Sequence, residues 1–239
     1  MRNRVVIVGG TSGIGLATAR RLASHGREVV IAGRSAKKLA TALAALGPEV
    51  TGQTVDARDE AELARFFAEV APIDHLVVTV TGPSGTTPFR ELGLNHIQQH
   101  IDGKLLAHTA AMRAALPYLP TEGSITLVSA ASAGGSMPTT AALAAVNAGV
   151  EGMVPVLAVE LAPLRVNAVS PGVIDTDWWS FLPDDARAEA FDSIAASTPA
   201  GRVGNADDVA HAIEFLIDNS FTSGIVVRVD GGARLGAPR

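Results

Sequence analysis

The chain contains no cysteine. That removes disulfide frameworks, thiolate nucleophiles and cysteine metal sites from consideration. Tyrosine is nearly absent too: Tyr118 is the one copy, and Lys37, Lys38 and Lys104 are the only lysines. Glu122 lies four residues after Tyr118, so no Tyr-x-x-x-Lys pair exists anywhere in the polypeptide. Aromatic residues make up 4% of the chain, and three of them crowd together at Trp178, Trp179 and Phe181. There is no basic block, and the net charge is −5, which argues against nucleic acid as the main partner. No apolar run approaches the length of a membrane span in the sequence, so no membrane partner is expected. The opening MRNRVVIVGG is basic and then apolar, but its short apolar part runs into glycines and reads as a buried strand rather than a signal peptide. A cytoplasmic location is the expectation.

What is present is a hydrophobic fraction of 47% and 24 glycines. Short β-branched runs recur at Val5–Val8, Val29–Ala32, Val50–Val55, His75–Val80, Ser124–Ser129, Val166–Ser170 and Ile225–Val229. They are continuous rather than alternating, the pattern of strands covered on both faces. Helical segments separate them, at Ile14–Ser24, Ser35–Leu46, Asp59–Ala71, Asn95–Leu116, Thr140–Leu161 and Asp207–Ile217. Such alternation predicts a single α/β domain over residues 1–239, a doubly wound parallel sheet of about seven strands with helices on both faces. The stretch 175–204, interrupted by Pro183, Pro199 and Gly201, is expected to be a loop or small lid within that domain.

Between the first strand and first helix lies Gly9-Gly10-Thr11-Ser12-Gly13-Ile14-Gly15. Glycines there let backbone approach a pyrophosphate, and the helix start presents free N–H groups to it. The second strand ends in Ala32-Gly33-Arg34-Ser35, without the acid that binds ribose hydroxyls in NAD sites. Arg34 and Ser35 suit a 2′-phosphate, so NADP(H) is the expected cofactor over NAD(H).

These features resemble the short-chain dehydrogenase/reductase family, of the single-domain Rossmann type, along nearly the whole chain. The family's glycine turn matches Gly9, Gly13 and Gly15, with Thr11, Ser12 and Ile14 between them. Its adenine-side acid matches Asp56, beside Ala57. Its cofactor-closing loop is similar to Arg165–Thr176, in which Val173 and Thr176 would contact the nicotinamide carboxamide and a nearby phosphate, with Pro171 and Gly172 also at the cofactor. Thr81 and Gly82 belong to an altered fourth-strand motif, Thr79-Val80-Thr81-Gly82. The resemblance implies an NADP(H) site, a small-molecule substrate, and a homodimer or homotetramer.

The resemblance breaks at the catalytic positions. The family reduces carbonyls with an Asn–Ser–Tyr–Lys set. Here Leu143 stands at the tyrosine position, Asn147 at the lysine position, Ala130 at the serine position and Lys104 at the asparagine position. Ser129 and Ser132 flank Ala130, and either is a candidate hydroxyl. Lys104 and Asn147 read as an exchange of the same two groups between opposite sides of one cavity. Asn147 would hold the nicotinamide ribose, and Lys104, its pKa lowered by burial, would supply the proton. His96, His100, Lys104 and His108 recur at i, i+4 on one helix. The His96–His100 spacing suits a metal, but no third ligand completes it, so no metal site is expected. The Trp178–Phe181 cluster reads equally as an apolar substrate wall or as packing.

The expected function is NADP(H)-dependent hydride transfer to or from a small, partly apolar carbonyl or imine-type substrate. Two alternatives stand beside it. One is a catalytically silent relative that binds NADP(H) as a sensor or oligomeric partner. The other is a redox-neutral lyase or isomerase on the same fold.

Overall fold

The computed structural model describes residues 4–236. A seven-stranded sheet runs in the order β3-β2-β1-β4-β5-β6-β9, with β1 Arg4–Val8, β2 Glu28–Gly33, β3 Val50–Thr54, β4 His75–Val78, β5 Ser124–Val128, β6 Arg165–Pro171 and β9 Val226–Val229. Every pairing in it is parallel. The strand order reverses between β1 and β4, and the crevice at their carboxyl ends is where such sheets bind ligands. The β-branched strands behave as their pattern demands. Val5, Val6, Ile7 and Val8 of β1 are all buried, with Val6 and Val8 in one core layer and Val5 and Ile7 in the other.

The helices are α1 Gly13–Ser24, α2 Ala36–Leu46, α3 Glu60–Val70, α4 Leu94–His100, α5 Ala107–Ala115, α6 Ala141–Glu160, α7 Asp184–Ser197 and α8 Ala206–Asp218. Their starts follow from local chemistry. Asp59 caps α3 by accepting from the amides of Ala61 and Glu62, both at 2.9 Å. At α8 the Asn205 side chain accepts from the Asp208 amide while the Asp208 carboxylate accepts from the Asn205 amide. This reciprocal arrangement satisfies two donors that the helix itself leaves open.

Three expectations need correction. The single helix expected over Asn95–Leu116 is broken by a π-helical segment, Ile101–Leu106, between α4 and α5. The stretch 175–204 is not simply a loop. It holds a short 3₁₀ turn, Asp177–Phe181, and the full helix α7, and its ends are tied by the short parallel pair β7 Ile174–Asp175 and β8 Gly204–Asn205. Finally, α6 is long and apolar enough to cross a membrane by length and composition, with a mean hydropathy of 1.7 over 18 residues. In the fold it lies along β6 and carries Glu151 and Glu160. Residues such as Val146, Val150 and Val154 form its buried face.

Candidate active site

One cleft of about 1260 Å³ opens at the strand-order reversal. That exceeds the usual range for a single small ligand and leaves room for a dinucleotide with a substrate beside it. It is lined by all the glycine-turn residues expected from the sequence except Gly10, together with Arg34, Ser35, Asp56, Ala57, Thr81, Gly82, Lys104, Ser129, Ser132, Asn147, Pro171, Gly172, Val173 and Thr176.

The glycine turn is built by crowding. A Cβ on Gly15 would lie 2.3 Å from the Gly9 carbonyl oxygen, and one on Gly9 would lie 2.5 Å from Thr79 Oγ1. Gly9 also has φ +99° and Gly13 φ +52°, in the region that favours glycine. Thr79 fixes the turn from below, donating its hydroxyl to the Gly9 carbonyl at 3.0 Å. Ser12 occupies the N-cap of α1 with no hydrogen bond from its side chain to the helix. Its hydroxyl and the open amides of that helix end therefore face a phosphate-sized need.

At the other end of the cleft wall, Arg34 and Ser35 are joined by Lys38 and Arg58. Sequence reasoning missed these last two cations. Ser35 also caps α2, accepting from the Lys38 amide at 3.3 Å. Asp56 is clasped by the Arg58 guanidinium, at 3.0 Å to Nε and 2.5 Å to Nη2. This contact holds the Asp56 carboxyl below the usual carboxylate range.

The π-helical segment delivers Lys104. Gly103 packs backbone to backbone on Gly82: a Cβ there would come within 2.7 Å of Gly82 Cα. The helix thus presses directly on the loop after β4. The Lys104 carbonyl accepts from the Ala107 amide at the end of the π segment, and His108 Nδ1 also meets it at 2.9 Å. His108 is fully buried, and that burial pushes its pKa down to about 3. The ring is therefore neutral, and Nδ1 carries the proton it donates. Lys104 itself is only 6% exposed. Its Nζ donates to the Ser129 carbonyl at 3.3 Å. Burial lowers its pKa to about 8, against a partial restoring pull from Glu151.

Across the cleft, α6 presents Leu143, Asn147 and Glu151 at helical spacing. Asn147 Nδ2 donates to Ser132 Oγ at 3.0 Å and to the Leu143 carbonyl at 2.8 Å. Its Oδ1 is buried and has no partner among the described residues. Such an orphaned acceptor calls for a donor from a bound molecule. Glu151, which sequence reasoning missed, gathers the hydroxyls of Ser129 at 2.8 Å and Ser170 at 2.7 Å on its Oε1. An acid in the middle of a mostly apolar helix, one turn beyond Asn147, was the available signal.

The two serines thus separate. Ser129 commits its hydroxyl to Glu151, whereas Ser132 places its hydroxyl on Asn147. Of the four histidine and lysine positions, His96 is exposed whereas His100, Lys104 and His108 are buried. His100 packs beside Gly82, and His108 lies behind Lys104. No group of three or more metal-ligating side chains occurs among the described residues.

Thr176 closes over the glycine turn, its Cγ2 lying 3.5 Å from the position of a Gly13 Cβ. Its hydroxyl caps the 3₁₀ turn that follows. Trp178, Trp179 and Phe181 pack on one another with ring centroids 4.9 to 5.8 Å apart, and all three line the cleft. The cluster therefore both packs internally and walls the cavity. Asp175 pairs with Arg187 of α7.

With this geometry established, the chain can be placed among known proteins. A family model described as Enoyl-(Acyl carrier protein) reductase matches residues 8–234. The cis-4-hydroxycyclohexanecarboxylate dehydrogenase of Sinomonas cyclohexanicum is 34% identical, over 95% of this chain and 94% of that protein. A small-chain dehydrogenase solved in complex with NADPH superposes with a TM-score of 0.86 at 31% identity, covering 99% of this chain and all of the other. A short-chain oxidoreductase from Pseudomonas aeruginosa PAO1, solved without ligand and containing an atypical catalytic center, gives 0.84 at 26% identity over 96% of each chain. The chain belongs to the short-chain dehydrogenase/reductase family, a family of oxidoreductases.

Proposed function

We propose that this protein is an NADP(H)-dependent oxidoreductase in which Lys104 takes the role of proton donor and Asn147 holds the nicotinamide ribose. The observation that carries the reading is the buried Lys104 ammonium on the cleft wall, with the half-satisfied Asn147 amide on the same cleft. The cradle fits the cofactor. The crowded glycine turn leaves room for a pyrophosphate, Ser12 and the α1 amides supply donors, and Arg34 with Lys38 and Arg58 suits a 2′-phosphate. The Asn147 Oδ1 awaits a ribose hydroxyl. A solved relative of this chain carries NADPH.

When bound, NADPH supplies a hydride to an acceptor carbon. Lys104 then gives a proton from Nζ to the oxygen or nitrogen that has gained charge. Its neutral amine recovers a proton from solvent, directly or through the Ser132 hydroxyl beside Asn147. The Ser129 carbonyl aims the ammonium, and the aromatic wall excludes water from the acceptor. A positioned acid contributes about 10²- to 10⁴-fold, so an acceptor already protonated to the iminium depends less on Lys104 than a ketone does. The family resemblance also supports a homo-oligomer.

The test is a panel of ketones and cyclic imines with NADPH, comparing wild type with Lys104→Met. Ketone turnover is expected to fall about 10²-fold or more, with NADPH affinity little changed. Tight NADPH binding with no turnover of any acceptor would favour a silent cofactor-binding relative instead.

A further inference from the structure

The carboxyl end of the sheet brings one more cation into the cleft. After β9 the chain turns through Gly231 and Gly232, at φ +62° and +83°, a left-handed pair that glycine adopts without strain. Asp230 Oδ1 accepts from the Gly232 amide at 3.0 Å. The turn directs the 3₁₀ segment Ala233–Leu235 back over the cavity.

Arg234 is the residue this reversal delivers. Its side chain is 18% exposed. Nε stands 3.3 Å from Asp230 Oδ2, and Nη2 donates to the Ser170 hydroxyl at 3.0 Å. That hydroxyl donates in turn to Glu151. The remaining amino group, Nη1, has no hydrogen-bond partner among the described residues. It lies over Gly134, 3.3 Å from where a Cβ would stand. Gly134 ends the same short turn, Ala131–Gly134, that holds Ser132. Arg234 is thereby placed over the turn that carries Ser132, the hydrogen-bond partner of Asn147, and lines the same cleft.

The counterions stay behind the wall. Lys104 and Arg234 line the cleft, whereas Glu151 and Asp230 do not. Both anions are already engaged, Glu151 by two serine hydroxyls and Asp230 by the turn amide and Arg234 itself. Asp177 is the acid that lines this end. The cleft lining also carries apolar side chains, Met137, Leu143, Trp178 and Phe181. A guanidinium held from behind, with Nη1 free and one Nη2 hydrogen unspent, matches the planar fork of a carboxylate.

We propose that Arg234 is a specificity-determining residue, and that the cleft takes a small monocarboxylate with an apolar ring or chain. The carboxylate is bound by Arg234, and the apolar body lies against the Trp178–Phe181 wall. This rests on reading the cleft as a substrate site, but not on the identity of the hydride acceptor or on Lys104 as acid.

The test uses benzoate and cyclohexanecarboxylate against benzamide and cyclohexanecarboxamide. Each is titrated calorimetrically into the full-length protein, with and without NADP⁺. The acids are expected to bind about 10- to 100-fold more tightly than the amides, the range for a charge-assisted pair. Arg234→Met should abolish that preference, Arg234→Lys should keep part of it, and Lys104→Met should leave it in place. Thermal unfolding and NADPH binding of each variant guard against a folding defect. Equal binding of acids and amides, no binding of the acids at millimolar concentration, or a preference that survives Arg234→Met and Arg234→Lys unchanged would overturn the proposal. So would a preference lost in Lys104→Met instead. A protein that prefers the acids yet transfers no hydride keeps this inference and loses the oxidoreductase reading.

Discussion

Lys104 and Glu151 meet through opposite ends of one serine. The Ser129 carbonyl accepts from Lys104 Nζ at 3.3 Å, and the Ser129 hydroxyl donates to Glu151 at 2.8 Å. The carboxylate therefore stabilises the ammonium from behind without forming an ion pair that would neutralise it. This accounts for a lysine on the cleft wall that stays protonated near neutral pH although burial lowers its pKa.

The cofactor preference follows from the Arg34 end of the cleft. Arg34→Ala is expected to weaken NADPH by about 10- to 100-fold, the range for one charge-assisted phosphate contact, and to leave NADH nearly unchanged. Dissociation constants for both nucleotides measure it. Equal losses for the two, or tighter NADH than NADPH in wild type, would contradict the assignment.

Two buried groups make stability rise with pH, each in its own window. Lys104 has a folded pKa of about 8, below its ordinary 10.5. The unfolded chain therefore binds more protons between those values, and stability rises with pH across that window. Relative to Lys104→Met, wild type should gain on the order of 3 kcal/mol from pH 7 to 11. His108, with a folded pKa of about 3 against 6.5, works from the acid side. Its contribution is complete above pH 6.5 and is lost as pH falls toward 3, and His75, lowered to about 4, adds to it. Urea unfolding across pH measures both slopes; a flat profile from pH 8 to 10 would refute the Lys104 part.

The segment 175–204 is expected to close over bound cofactor. Thr176 already lies against the glycine turn, and α7 has no buried residue of its own. Hydrogen exchange in α7 and in the Trp178–Phe181 turn should slow on adding NADPH. Exchange that is already slow and stays unchanged would count against a lid.

A homo-oligomer is expected from the family resemblance and from α6, which exposes Val156 and Val159 beside many small residues. Light scattering at micromolar concentration should give a dimer or tetramer, and a monomer would contradict it.

The sheet was legible because its inner strands are buried on both faces and carry apolar, β-branched runs; expected and observed strand bounds differ by at most two residues. The phosphate turn was legible because glycine is demanded by contacts too close for a Cβ. What was not legible has physical reasons. α7 escaped because helical periodicity records burial, and this helix only half-buries its inner face, with Phe191 against Trp179. The π segment escaped because an inserted residue leaves no mark on composition; only Gly103, facing Gly82, hinted at a close approach. Glu151 and Arg234 reach the serines Ser129 and Ser170, distant in sequence, whereas Arg58 grips Asp56 two residues away.

The three-lysine composition makes the central claim directly measurable. In protein labelled at the lysine side chains, NMR titration follows Lys37, Lys38 and Lys104 individually. Lys104 is expected to titrate near pH 8, well apart from the other two, and its resonance should move when NADP⁺ binds while that of Lys37 stays in place. A Lys104 that titrates with the others above pH 10, or that does not respond to NADP⁺, would contradict its assignment as the buried acid of the site.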